Sequence, residues 1–141
     1  MVATAQPVRV VVVDDSPDIR DLLRLQLDAD GFEVVGVAAD GRTALEMCRR
    51  EQPDVVTLDL AMPGIGGLEA LPTLRHDCPH TKVVVYTAYD GFARLAQVRD
   101  AGAAAYITKG VSMRRLTEHL RRVFDSDAAE PVGPFPLRPP A

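Results

Sequence analysis

Three aspartates, a threonine and a lysine in this chain all follow the same kind of segment. Val10-Val11-Val12-Val13 runs into Asp14-Asp15, and Asp54-Val55-Val56-Thr57-Leu58 runs into Asp59. Val83-Val84-Val85-Tyr86 runs into Thr87, and Ala104-Ala105-Tyr106-Ile107-Thr108 runs into Lys109. Carboxylates brought close together repel one another unless a cation sits among them. A set of hard oxygen donors favours Mg2+ or Mn2+, usually with waters retained. The carbonyl of Ala61, just past Asp59, could add a ligand. A carboxylate such as Asp59 can attack phosphorus and form an aspartyl phosphate. The metal and Lys109 would then offset charge on the transferring oxygens, and Thr87 could hydrogen-bond one of them. Each residue alone has a plainer reading. Asp14-Asp15 could be a turn and helix cap, Thr87 a β-branched strand residue, and Lys109 a solvated strand terminus. The joint pattern carries the chemistry.

The segments that must position these residues are short and rich in β-branched side chains, which reads as buried strands of a parallel sheet. In open sheets of this kind ligands bind outside the carboxyl ends of the strands. Helix-period segments separate them. Ser16-Pro17-Asp18 is a helix start, with Ser as N-cap, Pro at the first helical position and an acid in the first turn. Ile19, Leu22, Leu23 and Leu27 recur at helical spacing with Leu25 off the stripe, and Gly31 closes that helix. Glu33–Val37 is a second strand. Asp40-Gly41 is a turn, and Ala44, Leu45 and Cys48 mark a second helix. Met62 to Gly67 is a loop, and Leu68 to about Cys78 a third helix with Pro72 near its first turns. Asp90-Gly91 opens a fourth helix bearing Phe92, Leu95 and Val98, which Ala101-Gly102 ends. Ser112 caps a last one carrying Met113, Leu116, Leu120, Val123 and Phe124. Strand then helix, five times over with short connections, predicts a doubly wound three-layer α/β fold. Five parallel strands and five helices match the flavodoxin-like class, for which the expected strand order is 2-1-3-4-5. In that order Asp59 sits beside Asp14 and Asp15.

With 141 residues the chain fits one domain with a real core. A net charge of −4 carries no basic bias toward nucleic acid or membrane. Cys48 and Cys78 fit no metal spacing and read as reduced thiols on buried or half-buried helix faces. His76, His80 and His119 are scattered and read as surface histidines. No apolar stretch is long enough for a membrane span, and residues 1–7 lack the features of a signal peptide. The expectation is a cytoplasmic protein with an N-terminal extension over 1–7, a folded domain over 8–126 and a Pro-rich tail over 127–141. In that tail Pro131, Pro134, Pro136, Pro139 and Pro140 remove backbone donors and lock φ, so disorder or the beginning of a linker is expected.

Four motifs together resemble the receiver domain of bacterial two-component response regulators. They are Val-Val-Asp-Asp-Ser, Leu-Asp-Leu-Ala-Met-Pro-Gly-Ile-Gly-Gly-Leu-Glu, Val-Val-Tyr-Thr-Ala and Gly-Ala-Ala-Ala-Tyr-Ile-Thr-Lys. The resemblance covers about Arg9 to Phe124. It implies that Asp59 is the phosphoacceptor. Asp15 and Asp59 would bind Mg2+ directly with the Ala61 carbonyl, Asp14 helping mainly through water. Thr87 becomes the switch hydroxyl, Tyr106 the switch aromatic and Lys109 the phosphate-binding cation. The phosphoryl donor would be a histidine kinase or a phosphotransfer protein. The domain itself would be a phosphoacceptor switch rather than an enzyme, able to assist its own phosphorylation and dephosphorylation. Homodimerisation on phosphorylation is a further expectation. Many receivers place Pro after the strand-five Lys, in a cis bond. Gly110 stands there instead, and a cis bond before a non-proline residue costs roughly 2.5–4 kcal/mol, so trans is expected. Lys109-Gly110-Val111-Ser112 is similar to the NarL-type, helix-turn-helix group.

Two other classes compete. A phosphohydrolase of the haloacid-dehalogenase kind also uses an Asp nucleophile and Mg2+, but wants an acid two residues later, where this chain has Ala61. A phosphorylation-independent interaction domain on the same scaffold would not need the intact set Asp14, Asp15, Asp59, Thr87 and Lys109.

Overall fold

The computed structural model describes residues 6–88 and 92–125, with backbone alone for 92 and 93. Elements alternate as the periodicity predicts: β1 Arg9–Val13, α1 Pro17–Ala29, β2 Glu33–Ala38, α2 Gly41–Glu51, β3 Val55–Leu58, α3 Gly67–Asp77, β4 Lys82–Thr87, α4 Phe92–Asp100, β5 Ala105–Thr108 and α5 Met113–Asp125. All strand pairs are parallel, in the order β2-β1-β3-β4-β5. The proposed opening turn of α4, Asp90-Gly91, and the Pro-rich tail lie outside the described residues.

Local chemistry sets the helix ends. The Ser16 hydroxyl accepts from the Ile19 N–H at 3.3 Å, and Pro17 occupies the first turn, where its missing donor costs nothing. The Asp40 carboxylate accepts from the Thr43 N–H at 2.8 Å, so the expected Asp40-Gly41 turn is the N-cap of α2. Gly31, at φ +86°, follows the end of α1 in the left-handed conformation that glycine adopts without strain. Pro72 sits inside α3 on an exposed position, and the helix continues through it. Among the described residues no peptide bond is cis, in keeping with Gly110 after Lys109.

Because strand side chains alternate, the sheet splits into two buried clusters. Val11, Val13, Val56, Leu58, Val83, Val85 and Tyr106 pack with α2, α3 and α4 through Ala44, Cys48, Leu71, Leu74, Leu95 and Val98. Val10, Val12, Val55, Val84, Tyr86 and Ile107 pack with α1 and α5 through Leu23, Leu27, Leu116, Leu120 and Val123. Leu22 departs from the expected stripe and is 50 % exposed. The core-facing line along α1 is the partly buried Ile19 and the buried Leu23 and Leu27, at four-residue steps, and Leu22 lies a further ~100° around the helix. Phe124 is likewise exposed, so the last helix is core for most of its apolar residues and not for this one. Cys48 and Cys78 are free and buried, and burial pushes the Cys48 thiol up to about 12. Cys78 lies just past α3 rather than on a helix face.

Thr57, between Val12 and Val84 in the sheet, has a buried hydroxyl with no hydrogen-bond partner among the described residues. Burying an unpartnered hydroxyl is unfavourable, and an apolar group of the same shape removes the cost. Thr57→Val is expected to stabilise the fold by about 1 kcal/mol in urea unfolding. A loss of stability would show that the hydroxyl has a partner.

Candidate functional site

β3 lies between β1 and β4, and β5 borders β4, so Asp14, Asp59, Thr87 and Lys109 all leave the sheet at one edge. Asp14 continues the β1–β2 ladder, its N–H bonding Ala38 O at 3.0 Å. Its Oδ1 accepts from the Ser16 N–H at 2.9 Å, and its Oδ2 meets Lys109 Nζ at 2.7 Å. The Asp14 carbonyl, just past the end of β1, accepts from the Arg20 guanidinium of α1 at 2.8 Å. Asp59 continues the β1–β3 ladder, its N–H bonding Val13 O at 3.0 Å. Its Oδ1 accepts from Thr87 Oγ1 at 3.0 Å and from the Ala61 N–H at 3.2 Å, and Lys109 Nζ donates to Oδ2 at 3.3 Å.

Asp14, Asp15 and Asp59 each offer a carboxylate oxygen, and these atoms lie within 4.8 Å of one another. Asp14 and Asp59 are buried while Asp15 is exposed. Burial, aided by the Asp59 charge, raises the Asp14 carboxyl above the usual carboxylate range despite Lys109 and Ser16. For Lys109, burial works against the ammonium, but its contacts with Asp14 and Asp59 outweigh that and raise it. Two buried carboxylates beside an exposed one open to water, each with an oxygen free to turn to the same point, fit a hard divalent cation.

The expected site residues thus come together. Of the switch pair, the Tyr106 ring is buried, 1 % exposed, and the Thr87 hydroxyl donates to Asp59. The ring occupies the α2–α4 side of the core because β5 presents it there, opposite Val85.

Other contributions have no counterpart among the roles read from the sequence. Arg20 clamps the Asp14 carbonyl, the Ala61 N–H holds Asp59, and Tyr86 lies under Lys109. Gly67 is a fourth. A Cβ there would stand 2.2 Å from the Asp59 carbonyl oxygen, so α3 starts against the backbone of the candidate nucleophile. Gly67→Ala must move one or the other. Overpacking of this kind costs about 2 kcal/mol. Thermal unfolding should show that loss together with slower phosphorylation, and an unchanged melting temperature would contradict the close approach. A groove of about 810 Å3 lies between the end of α1 and α5, lined by Asp30, Phe32, Thr117 and Arg121 among others, and none of the site residues lines it.

An acid pair, a third acid, a hydroxyl and a lysine at the edge of a 2-1-3-4-5 sheet define a phosphoryl-handling receiver class. Residues 10–121 match the family described as the response regulator receiver domain, and the chain belongs to that family. It is 41% identical over 118 residues to the response regulator GacA of Pseudomonas aeruginosa, covering 83% of this chain and 55% of that protein. The chain therefore spans about half the length of the curated relatives it matches. The signal receiver domain of NarL from Mycobacterium tuberculosis superposes with a TM-score of 0.81 at 32% identity, over 85% of this chain and 98% of that one. A CheX–CheY–BeF3–Mg2+ complex from Borrelia burgdorferi gives a TM-score of 0.81 at 25% identity, over 85% of this chain and 91% of that one. Among the described residues no helix is long and apolar enough to cross a membrane.

Proposed function

We propose that residues 8–126 form a phosphorylation-controlled signalling switch that accepts a phosphoryl group on Asp59. The donor would be a histidine kinase or a phosphotransfer protein. The observation that carries this reading is the Asp59 carboxylate itself, held at one oxygen by Thr87 and Ala61 and at the other by Lys109, beside Asp14 and Asp15. Attack by an Asp59 oxygen on phosphorus forms the acyl phosphate and breaks the donor's P–N bond, the imidazole leaving with a proton. Lys109 and Thr87 then face the phosphoryl oxygens. Asp15 and Asp59, with the Ala61 carbonyl and with Asp14 through water, would hold Mg2+ or Mn2+, which supplies positive charge against those oxygens. The Mg2+ in the Borrelia complex supports this choice of ion. The domain would also assist its own phosphorylation and dephosphorylation, reside in the cytoplasm and pair with a second copy when phosphorylated.

Phosphorylation adds charge of about −1.5 to −2 if it resembles that of other side chains. That charge would tighten the Thr87 contact and favour the buried Tyr106 ring, shifting the surface of α4, β5 and α5 between two populations. The test is NMR with beryllofluoride and Mg2+ as a phosphoryl mimic. Large shifts are expected across residues 87–112. Shifts confined to the Asp59 loop would overturn the coupling.

A further inference from the structure

After Lys82, β4 is aliphatic until its penultimate residue, where Val83-Val84-Val85 gives way to Tyr86. The ring is 3 % exposed and belongs to the cluster beneath α1 and α5, with Val84, Ile107 and Leu116. Strand alternation explains what lies above it. Tyr86 is the register partner of Ile107, and Lys109, two residues on, emerges on the same face. The Lys109 N–H bonds Thr87 O at 2.9 Å, which holds β5 against β4 to the very edge. From there the lysine side chain, 19% exposed, sets its Nζ over the Tyr86 ring, 5.9 Å from the centroid, and against Asp14 at 2.7 Å and Asp59 at 3.3 Å.

We propose that Tyr86 is a positioning residue for Lys109, its ring holding the ammonium over the gap between Asp14 and Asp59, where a transferred phosphoryl group would meet it. The proposal rests on the reading of Asp59 as phosphoacceptor. A lysine has a flexible four-carbon stem and loses much rotamer freedom when held in one geometry. Two carboxylates attract its head but do not restrict its stem. An aromatic face beneath it does both, closing off the side toward α1 and α5 and attracting the cation through its quadrupole. A role in packing alone needs volume, which leucine supplies. A role toward the ammonium needs an aromatic face, which phenylalanine keeps and leucine lacks.

The experiment compares wild type, Tyr86→Phe and Tyr86→Leu in the full chain, with two readouts. The first, independent of phosphorylation, is the 1H–13C signal of the Lys109 Cε methylene. It should be shifted upfield by the ring current in wild type and Tyr86→Phe, and lose that shift in Tyr86→Leu. The second is the rate of labelling by acetyl phosphate with Mg2+. It should stay close to wild type in Tyr86→Phe and fall roughly five-fold in Tyr86→Leu, at a similar melting temperature. Absence of the upfield shift in wild type overturns the proposal even if the leucine variant fails to fold. So does equal slowing of both variants, or a leucine variant that labels at the wild-type rate. A wild-type chain that takes up no phosphate at all overturns the phosphoacceptor reading instead.

Discussion

Asp59→Asn is expected to abolish phosphoryl uptake from acetyl phosphate while leaving the domain folded. In wild type, acetyl phosphate and Mg2+ should raise the intact mass by one phosphoryl group, acetate leaving as the P–O bond breaks. An amide oxygen in place of the carboxylate can still accept from Thr87 and the Ala61 N–H, so the loop keeps its shape. What it lacks is a negative oxygen able to attack phosphorus. Neither neighbouring acid can take over. Asp14 is 1 % exposed, with Ser16 on one oxygen and Lys109 on the other. Asp15 is exposed, with neither Thr87 nor Lys109 among its partners in the described hydrogen bonds and ion pairs. Mass spectrometry of the intact protein decides the matter, and a phosphorylated Asp59→Asn protein would defeat the assignment.

The second large effect concerns the cation. Three carboxylates within 4.8 Å of one another store repulsion that a divalent ion relieves. An ion bound only by the folded state stabilises it by mass action, by about 1.4 kcal/mol at ten times its dissociation constant. For a domain of this size that corresponds to a rise of roughly 5 °C in melting temperature. Millimolar Mg2+ should produce such a rise in wild type, and Asp15→Ala should remove most of it. An equal rise in the variant would place the ion elsewhere. The effect also has a definite pH dependence. The Asp14 carboxyl is raised by burial in the folded state. Its contribution to metal-free stability is therefore fully present below the unfolded carboxylate value, and is lost as pH rises through the folded one. Protons and metal compete for the same oxygens. The Mg2+ increment should be largest near neutrality and shrink as acidification protonates Asp14.

Much of this protein is decided by local sequence. Runs of β-branched residues alternating with helix-period segments, short connections and right-handed crossovers leave few topologies, and the doubly wound sheet is one of them. Because each strand ends on its polar residue, the chain itself places Asp14, Asp15, Asp59, Thr87 and Lys109 at one edge. The helix starts at Ser16 and Asp40 are equally local, since a cap needs only a side chain and an N–H two or three residues on. Tertiary structure decides what depends on residues distant in the chain. Whether Leu22 or Ile19 faces the core follows from how α1 seats on the sheet beside α5, which helical spacing alone leaves open. The buried Tyr106 ring belongs to one cluster with Val85, Leu95 and Val98, which the chain brings together only on folding. Gly67 is required because α3 begins against the Asp59 carbonyl, an approach of backbone to backbone that composition does not encode. Arg20 and Tyr86 join the site for the same reason. Their types suit a helix face and a strand interior, and only the packed sheet edge brings one to the Asp14 carbonyl and the other beneath the Lys109 ammonium.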